Sequence, residues 1–255
     1  MDASYAERAA ELVALRPDVL VASGARSAVA LAQAATTGGT GSIPVAFVNV
    51  GAPVELGLVQ SVARPGQNVT GLSSSSPELA RKRLELLTDA VPGVSRPAAL
   101  FNPANADDRA ELVTLQAAGT RRGLVLRPIE VHAPDDVILS VEQAIRDGAD
   151  AIILTSRFAS GYAATTALQK RVPAVGTAAS LARSNGALLS YGPDVTDMHR
   201  RAAALVDKIL KGTSAGSLPV EQPSTFELVV NLKTAEALGL TIPRSVLSQA
   251  TEIVQ

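Results

Sequence analysis

The chain has 255 residues, 47% of them hydrophobic, enough for one large α/β domain or for two lobes of roughly 100 to 150 residues each. Its 23 Lys and Arg against 24 Asp and Glu leave a net charge of −1, which offers no electrostatic footprint for nucleic acid or an anionic membrane. The absence of Cys excludes disulfides, thiolate metal sites and a Cys nucleophile, and leaves the redox compartment open.

No run of about 18 apolar residues is present, so no membrane-spanning helix and no direct membrane insertion are expected. The first residues, Met1-Asp-Ala-Ser-Tyr-Ala-Glu-Arg8, have neither the basic n-region nor the apolar h-region of a secretory signal. They read instead as the start of a helix. Ala6, Ala9, Ala10, Val13 and Ala14 recur at helical spacing, and Pro17 closes it. A strand follows in Asp18-Val-Leu-Val-Ala22, then Ser23-Gly24 and a helix over 27–35. Thr36-Thr-Gly-Gly-Thr-Gly-Ser42 is a glycine-rich linker. It is no phosphate loop, because such a loop needs its glycines after a strand and before a helix, and here the order is reversed.

The pattern continues with a strand over 43–48, a short helix over 54–62 and a strand over 68–72 that runs into four serines, Ser73 to Ser76. Ser76 suits an N-cap with Pro77 at the first helical position of a helix reaching Ala90. Val91-Pro-Gly-Val-Ser-Arg-Pro97 reads as a crossing segment. A second set then predicts strands over 98–101, 124–131, 149–154, 173–175 and 187–190, with helices over 105–121, 135–147 and 160–169. A long helix over 194–211, a Pro-rich connector over 216–223, a strand over 225–231 and a terminal helical region complete the chain.

Continuous apolar strands alternating with amphipathic helices imply parallel sheets covered on both faces. The expected architecture is therefore α/β, with two doubly wound, Rossmann-like lobes. The first takes residues 1–93 plus about 194–216 and the second 94–193 plus about 223–255. Segments near 91–97, 191–193 and 216–223 would act as hinges beside a cleft between the lobes.

In such sheets ligands sit beyond the carboxyl ends of the strands. Here those ends carry Ser, Gly or Asn: Ser23-Gly24-Ala25, Asn49 and Gly51, Ser73-Ser74-Ser75, Asn102, Ser156 and Tyr191. Backbone N–H groups and a hydroxyl at Ser23, Gly24 and Ala25 suit a carboxylate at a helix N-terminus, though a cap serving only its own helix explains the same residues. Of the few aromatic residues, Phe158 and Tyr191 follow polar strand ends and are candidate ligand contacts. Phe47 and Phe101 fit a core better. Arg157 is a candidate to pair a ligand carboxylate or phosphate.

Catalytic constellations are missing from the pattern. His132 and His199 are the two histidines, and neither belongs to a zinc-binding pair or a nucleophile elbow. Asp107-Asp108 and Asp135-Asp136 read as helix-start acids rather than metal ligands. No cofactor or metal is expected. Asn68-Val-Thr70 fits a glycosylation triplet, but a turn accounts for it.

Several segments, taken in order, carry a resemblance: Arg64-Pro-Gly-Gln-Asn-Val-Thr-Gly71, Glu78-Leu-Ala-Arg-Lys-Arg-Leu-Glu-Leu-Leu87, Asn102-Pro-Ala-Asn105, Ser190-Tyr-Gly-Pro-Asp194 with His199-Arg-Arg-Ala-Ala203, and Leu218-Pro-Val-Glu-Gln-Pro-Ser-Thr-Phe-Glu-Leu-Val-Val-Asn-Leu-Lys-Thr-Ala235. The chain resembles the ABC-transporter substrate-binding family, with the type I periplasmic binding protein fold. The resemblance implies a periplasmic or otherwise extracytoplasmic receptor that holds a small molecule, an amino acid or related small carboxylate, between two lobes and delivers it to an ABC permease. Family members commonly read Gly-Asp-Pro-Val where this chain has Gly51-Ala52-Pro53-Val54, so a carboxylate is replaced by a methyl group. They also carry an additional strand–helix–strand before the helix at which this chain starts. By that comparison the first lobe is incomplete, and residues 18–22 form an exposed edge strand through which a homodimer could pair. A ligand-sensing module of the same fold, a fragment without binding activity and an α/β enzyme are the alternative readings.

Overall fold

The computed structural model describes residues 3–37, 43–74, 77–155 and 160–255. The chain divides into two compact units, 1–75 with 193–225 and 76–192 with 226–255. Helix 77–90 lies with the second unit, whereas the sequence pattern places it in the first. Segment 91–97, expected as a hinge, lies inside the second unit. The chain crosses at 75/76, 192/193 and 225/226.

The first unit opens with α1 (Ala3–Ala14), followed by β1 (Leu20–Ser23), α2 (Ala25–Thr37), β2 (Val45–Val50) and β3 (Val69–Ser73). The three strands are parallel in the order β1-β2-β3, with Ser23 level with Val48 and Val50 level with Ser73. Alternation along the strands sorts two faces. Phe47, Val45 and Val69 pack with Ala9, Ala28 and Leu31 of α1 and α2. Val48 and Leu72 face the other way, against Met198, Ala202 and Leu205. The Asn-Val-Thr-Gly segment, expected as a turn, runs into β3, and Gly71 is required there by close approach, because a Cβ would run into the carbonyl oxygen and ring of Phe47. Asn68 donates to Ile43 O and Thr70 to Leu218 O, so the triplet's polar side chains hold the start of the strand. The short helix expected over 54–62 is absent: residues 53–56 are turns, Gly57 sits at φ 69° and Leu58 N bonds back to Pro53 O. A left-handed residue so soon after a proline ends the winding before a second turn can form.

Among the described residues β1 is an edge strand. Leu20 and Ala22 are buried, while Val21 is 53% exposed on the face that α1 and α2 do not cover.

The second unit runs α3 (Pro77–Ala90), β4 (Pro97–Phe101), α4 (Ala106–Arg121), β5 (Arg127–Glu130), α5 (Val137–Arg146), β6 (Ala151–Leu154), α6 (Ser160–Gln169), β7 (Ala174–Gly176), α7 (Ala179–Ser184) and β8 (Leu189–Pro193). α8 (Val195–Leu210) follows in the first unit, presenting Met198, Ala202, Leu205 and Ile209 as one buried stripe. β9 (Phe226–Asn231), α9 (Leu232–Leu238), α10 (Arg244–Leu247) and β10 (Glu252–Val254) return to the second unit. Its seven strands lie in the order β10-β9-β8-β7-β6-β4-β5. Both faces of β4, β6 and β7 are buried, which is why those strands read as unbroken apolar runs. α7 and β10 are additions to the expected element list.

The connector 216–223 is fastened to the first unit rather than crossing between units. Glu221 forms a parallel bridge with Leu72, and Ser73 N donates to Glu221 O at 2.8 Å.

Candidate functional site

In the first unit the topology lines up the predicted residues along one sheet edge. Ser23-Gly24-Ala25 follow β1, Asn49 and Gly51 close β2, and Ser73 and Ser74 close β3. Backbone bonds lace the row together: Gly24 N donates to Val48 O at 2.9 Å and Ser74 N to Val50 O at 2.9 Å. The Ser73 hydroxyl donates to Gly51 O at 3.0 Å. Asn49 adopts φ 63°, and at that point the β2–β3 register shifts between Val48 and Val50. A left-handed Asn is tolerated because its short side chain can bond locally. The resulting bulge re-aims the end of β2. Gly24, at φ 87°, makes the turn that lets α2 start immediately after β1. The Ser27 hydroxyl bonds back to Ser23 O at 2.7 Å, so the carbonyl end of β1 is tied to the helix it precedes. Ser23 is exposed and Ser74 half-buried; Ser73 is 5% exposed and holds the loop.

The second unit presents its own row. β4, β6, β7 and β8 are neighbours, so Asn102, Thr155, Thr177 and Tyr191 lie along their carboxyl ends. Asn102 forms an Asx turn to Ala104 N, and its own N–H is held by the Asp108 carboxylate at 2.8 Å. Asn105 caps α4 by accepting from Asp107 N at 2.9 Å. One of the helix-start acids expected here, Asp108, thus fixes the strand-end loop. Thr155 donates to Leu100 O at 2.7 Å. Tyr191 is half-buried, with its ring 6.0 Å from that of Phe226 in a stacked pair. Gly192 rests on the carbonyl of Thr177, leaving no room for a Cβ.

Beneath this row lies a charge pair that the sequence reading missed. Arg83 of α3 is 3% exposed and pairs with Glu111 of α4, while its Nη1 donates to Tyr191 O at 3.1 Å. Burial raises the Glu111 pKa above its ordinary value of 4.5; Arg83 pulls it down and Asp107 adds to the rise. The signal was present in the Arg81-Lys82-Arg83 run, but nothing in the run separates the one inward cation from two outward ones. Ser190, at the end of the strand expected over 187–190, is fully buried, and Thr177, just after β7, escaped the reading.

Ser75, Ser156, Arg157 and Phe158, and the Ser76 cap, lie outside the described residues. Phe47 and Phe101 sit in the core, as expected. His199 is on an exposed face and His132 is exposed beside Glu130 at 3.3 Å. Among the described residues no group of three His, Cys, Asp or Glu is placed to hold a metal, and no helix is long and apolar enough to cross a membrane.

A family profile described as ABC transporter substrate binding protein matches residues 2–254. A solved conserved domain protein from Vibrio cholerae is 33% identical, with a TM-score of 0.88, over 98% of this chain and 83% of that one. An ABC domain from Streptococcus pneumonia, solved in complex with L-Trp, is 27% identical, with a TM-score of 0.88, over 99% of this chain and 86% of that one. A tyrosine-binding protein from Clostridioides difficile is 24% identical over 238 residues, 91% of this chain. The chain spans 66% of that protein's length.

Proposed function

As the chain belongs to the ABC transporter substrate-binding protein family, we propose that it binds an amino acid or a related small carboxylate outside the cytoplasm, in the periplasm or its equivalent, and passes it to an ABC permease. The observation that carries the reading is the likeness, over 99% of this chain, to a domain solved with L-Trp. The strand-end rows give it chemistry. In the first unit, the start of the 13-residue helix α2 and the hydroxyls of Ser23 and Ser74 suit a carboxylate. In the second, the Tyr191 ring offers an aromatic face to an apolar side chain. Ala52, half-buried after Gly51, supplies no anion for an ammonium group. The protein acts in this reading as a carrier and not as an enzyme. The open edge at residues 18–22 is where a second copy would pair.

The test is a thermal-shift screen with L-tyrosine, L-tryptophan, other amino acids and small carboxylates lacking an amine. A ligand at about 100 times its Kd adds on the order of 2.7 kcal/mol of stability. A shift confined to amino acids supports the reading, and one confined to amine-free carboxylates assigns the Ala52 position its consequence. No shift in any class overturns it.

A further inference from the structure

We propose that Arg83 is a positioning residue for ligand binding, acting through Tyr191: its guanidinium bridges Glu111 and the backbone carbonyl of Tyr191 and so fixes the strand end on which that ring stands. The inference rests on the reading of Tyr191 as a ligand contact.

The geometry of the pair is the starting point. Arginine–carboxylate pairs are frequently bidentate, both terminal nitrogens serving one carboxylate. Arg83 divides them instead. Nη2 goes to Glu111 on α4, and Nη1 goes to the carbonyl of Tyr191 in β8, 108 residues along the chain. The side chain is 4% exposed, and its Nε is buried without a hydrogen-bond partner among the described residues. A buried charge held this way is costly, and an apolar residue would pack α3 on α4 with less penalty. The second arm therefore does something that helix packing does not require.

What it holds is the last part of β8. The Tyr191 carbonyl is clamped by Arg83, its ring lies on Phe226, and the next residue, Gly192, is pressed against the Thr177 carbonyl. Three independent contacts converge on two residues, just before the chain leaves the unit at 192/193. Glu111 in turn holds Arg83, and Asp107 stands near Glu111 on α4. The carboxylate orients the cation, the cation orients the carbonyl, and the carbonyl sets the ring.

Tyrosine spectroscopy reads this directly. The chain has no Trp and three Tyr. Tyr5 and Tyr162 are 38% and 66% exposed, so Tyr191, half-buried on Phe226, is expected to dominate the near-ultraviolet circular dichroism. Tyr191→Phe identifies its band. In the full chain, Arg83→Met is expected to lose most of that band and to weaken L-tyrosine and L-tryptophan binding by calorimetry about tenfold, the loss appropriate to a charge-assisted hydrogen bond. Its far-ultraviolet spectrum stays unchanged. Arg83→Lys restores part of both signals, and Glu111→Gln falls between.

A lower Tm for Arg83→Met with the band intact and affinity within about twofold assigns the pair to helix packing alone and overturns the proposal. If Arg83→Met does not fold, Arg83→Lys and Glu111→Gln decide: parental band and affinity in both overturn it. If the parent binds neither amino acid, the ligand reading fails, and with it the binding role of Arg83. A band that still collapses in Arg83→Met then shows a clamp on Tyr191 and nothing more.

Discussion

The two units build the same kind of strand end by different means. In the first, a three-stranded sheet with an open edge holds its polar row through backbone bonds between neighbouring strands, Gly24 to Val48 and Ser74 to Val50, with Asn49 bent into a left-handed turn. In the second, a seven-stranded sheet whose central strands are buried on both faces holds its row through side chains: Asp108 on Asn102, Thr155 on Leu100, Arg83 on Tyr191. In the small sheet, backbone bonds between strands do most of this, with the Ser73 and Ser27 hydroxyls adding to them. The second unit buries a charged side chain, Arg83, whose desolvation is offset by its bonds to Glu111 and to the Tyr191 carbonyl.

The contrast can be broken most severely in the cores. Ile153→Ala in β6, fully buried, is expected to cost about 2–5 kcal/mol by urea unfolding, the range for a truncated core side chain. Gly71→Ala attacks the first unit by overpacking against Phe47, and a loss of about 1–3 kcal/mol is expected. If the two units unfold in separate transitions, each substitution moves its own transition and leaves the other in place. Movement of both together dissolves the comparison.

Caps sharpen it at smaller scale. Asp194→Ala removes the cap that accepts from Asp197 N in the first unit, and Asn105→Ala removes the one that accepts from Asp107 N in the second. Each is expected to cost about 1 kcal/mol. The loop that carries Asn102 keeps its bonds to Asp108 and Ala104 in Asn105→Ala.

The carboxylates of the second unit give opposite acid responses. Glu252 is held below its ordinary 4.5 by the hydrogen bond from Arg183. Its contribution is present above that value and is lost as pH falls through the lowered one. Glu111 is raised by burial, so the folded state binds its proton more tightly. Its effect on stability therefore turns unfavourable as pH rises from 4.5 through the raised value. Glu252→Gln removes the first slope and Glu111→Gln the second, in urea midpoints measured across the acid range. The exposed Glu252 pair gives the smaller change, because solvent screens it.

The least disruptive substitution is Val21→Lys on the open edge of β1. Stability is expected to stay within about 0.5 kcal/mol, while any self-association seen by sedimentation is reduced. Unchanged association places the contact elsewhere.

Legibility in the sequence followed the range of the interactions. Strands such as 98–101 and 149–154 were readable because burial on both faces leaves an uninterrupted apolar run. The strand-end residues of the first unit were readable because Ser, Gly and Asn mark turns locally. The 54–62 segment misled because its apolar spacing mimics a helix while Gly57, at φ 69°, turns the chain out of the helical path. The boundary at 75/76 was hidden because α3 carries a buried stripe that suits either unit, and only its packing on α4 decides. Arg83 was invisible for the same reason: its partners are 28 and 108 residues away.

The division of each unit between separated chain segments has a consequence for synthesis. Val48 and Leu72 of the first sheet are covered by Met198, Ala202 and Leu205. On a ribosome those residues emerge only after nearly the whole of the second unit's central sheet has been made, a delay on the order of ten seconds. Throughout that interval the nascent first sheet has one bare apolar face. The sheet translated first therefore completes its apolar cover only when residues of the 193–225 segment are present.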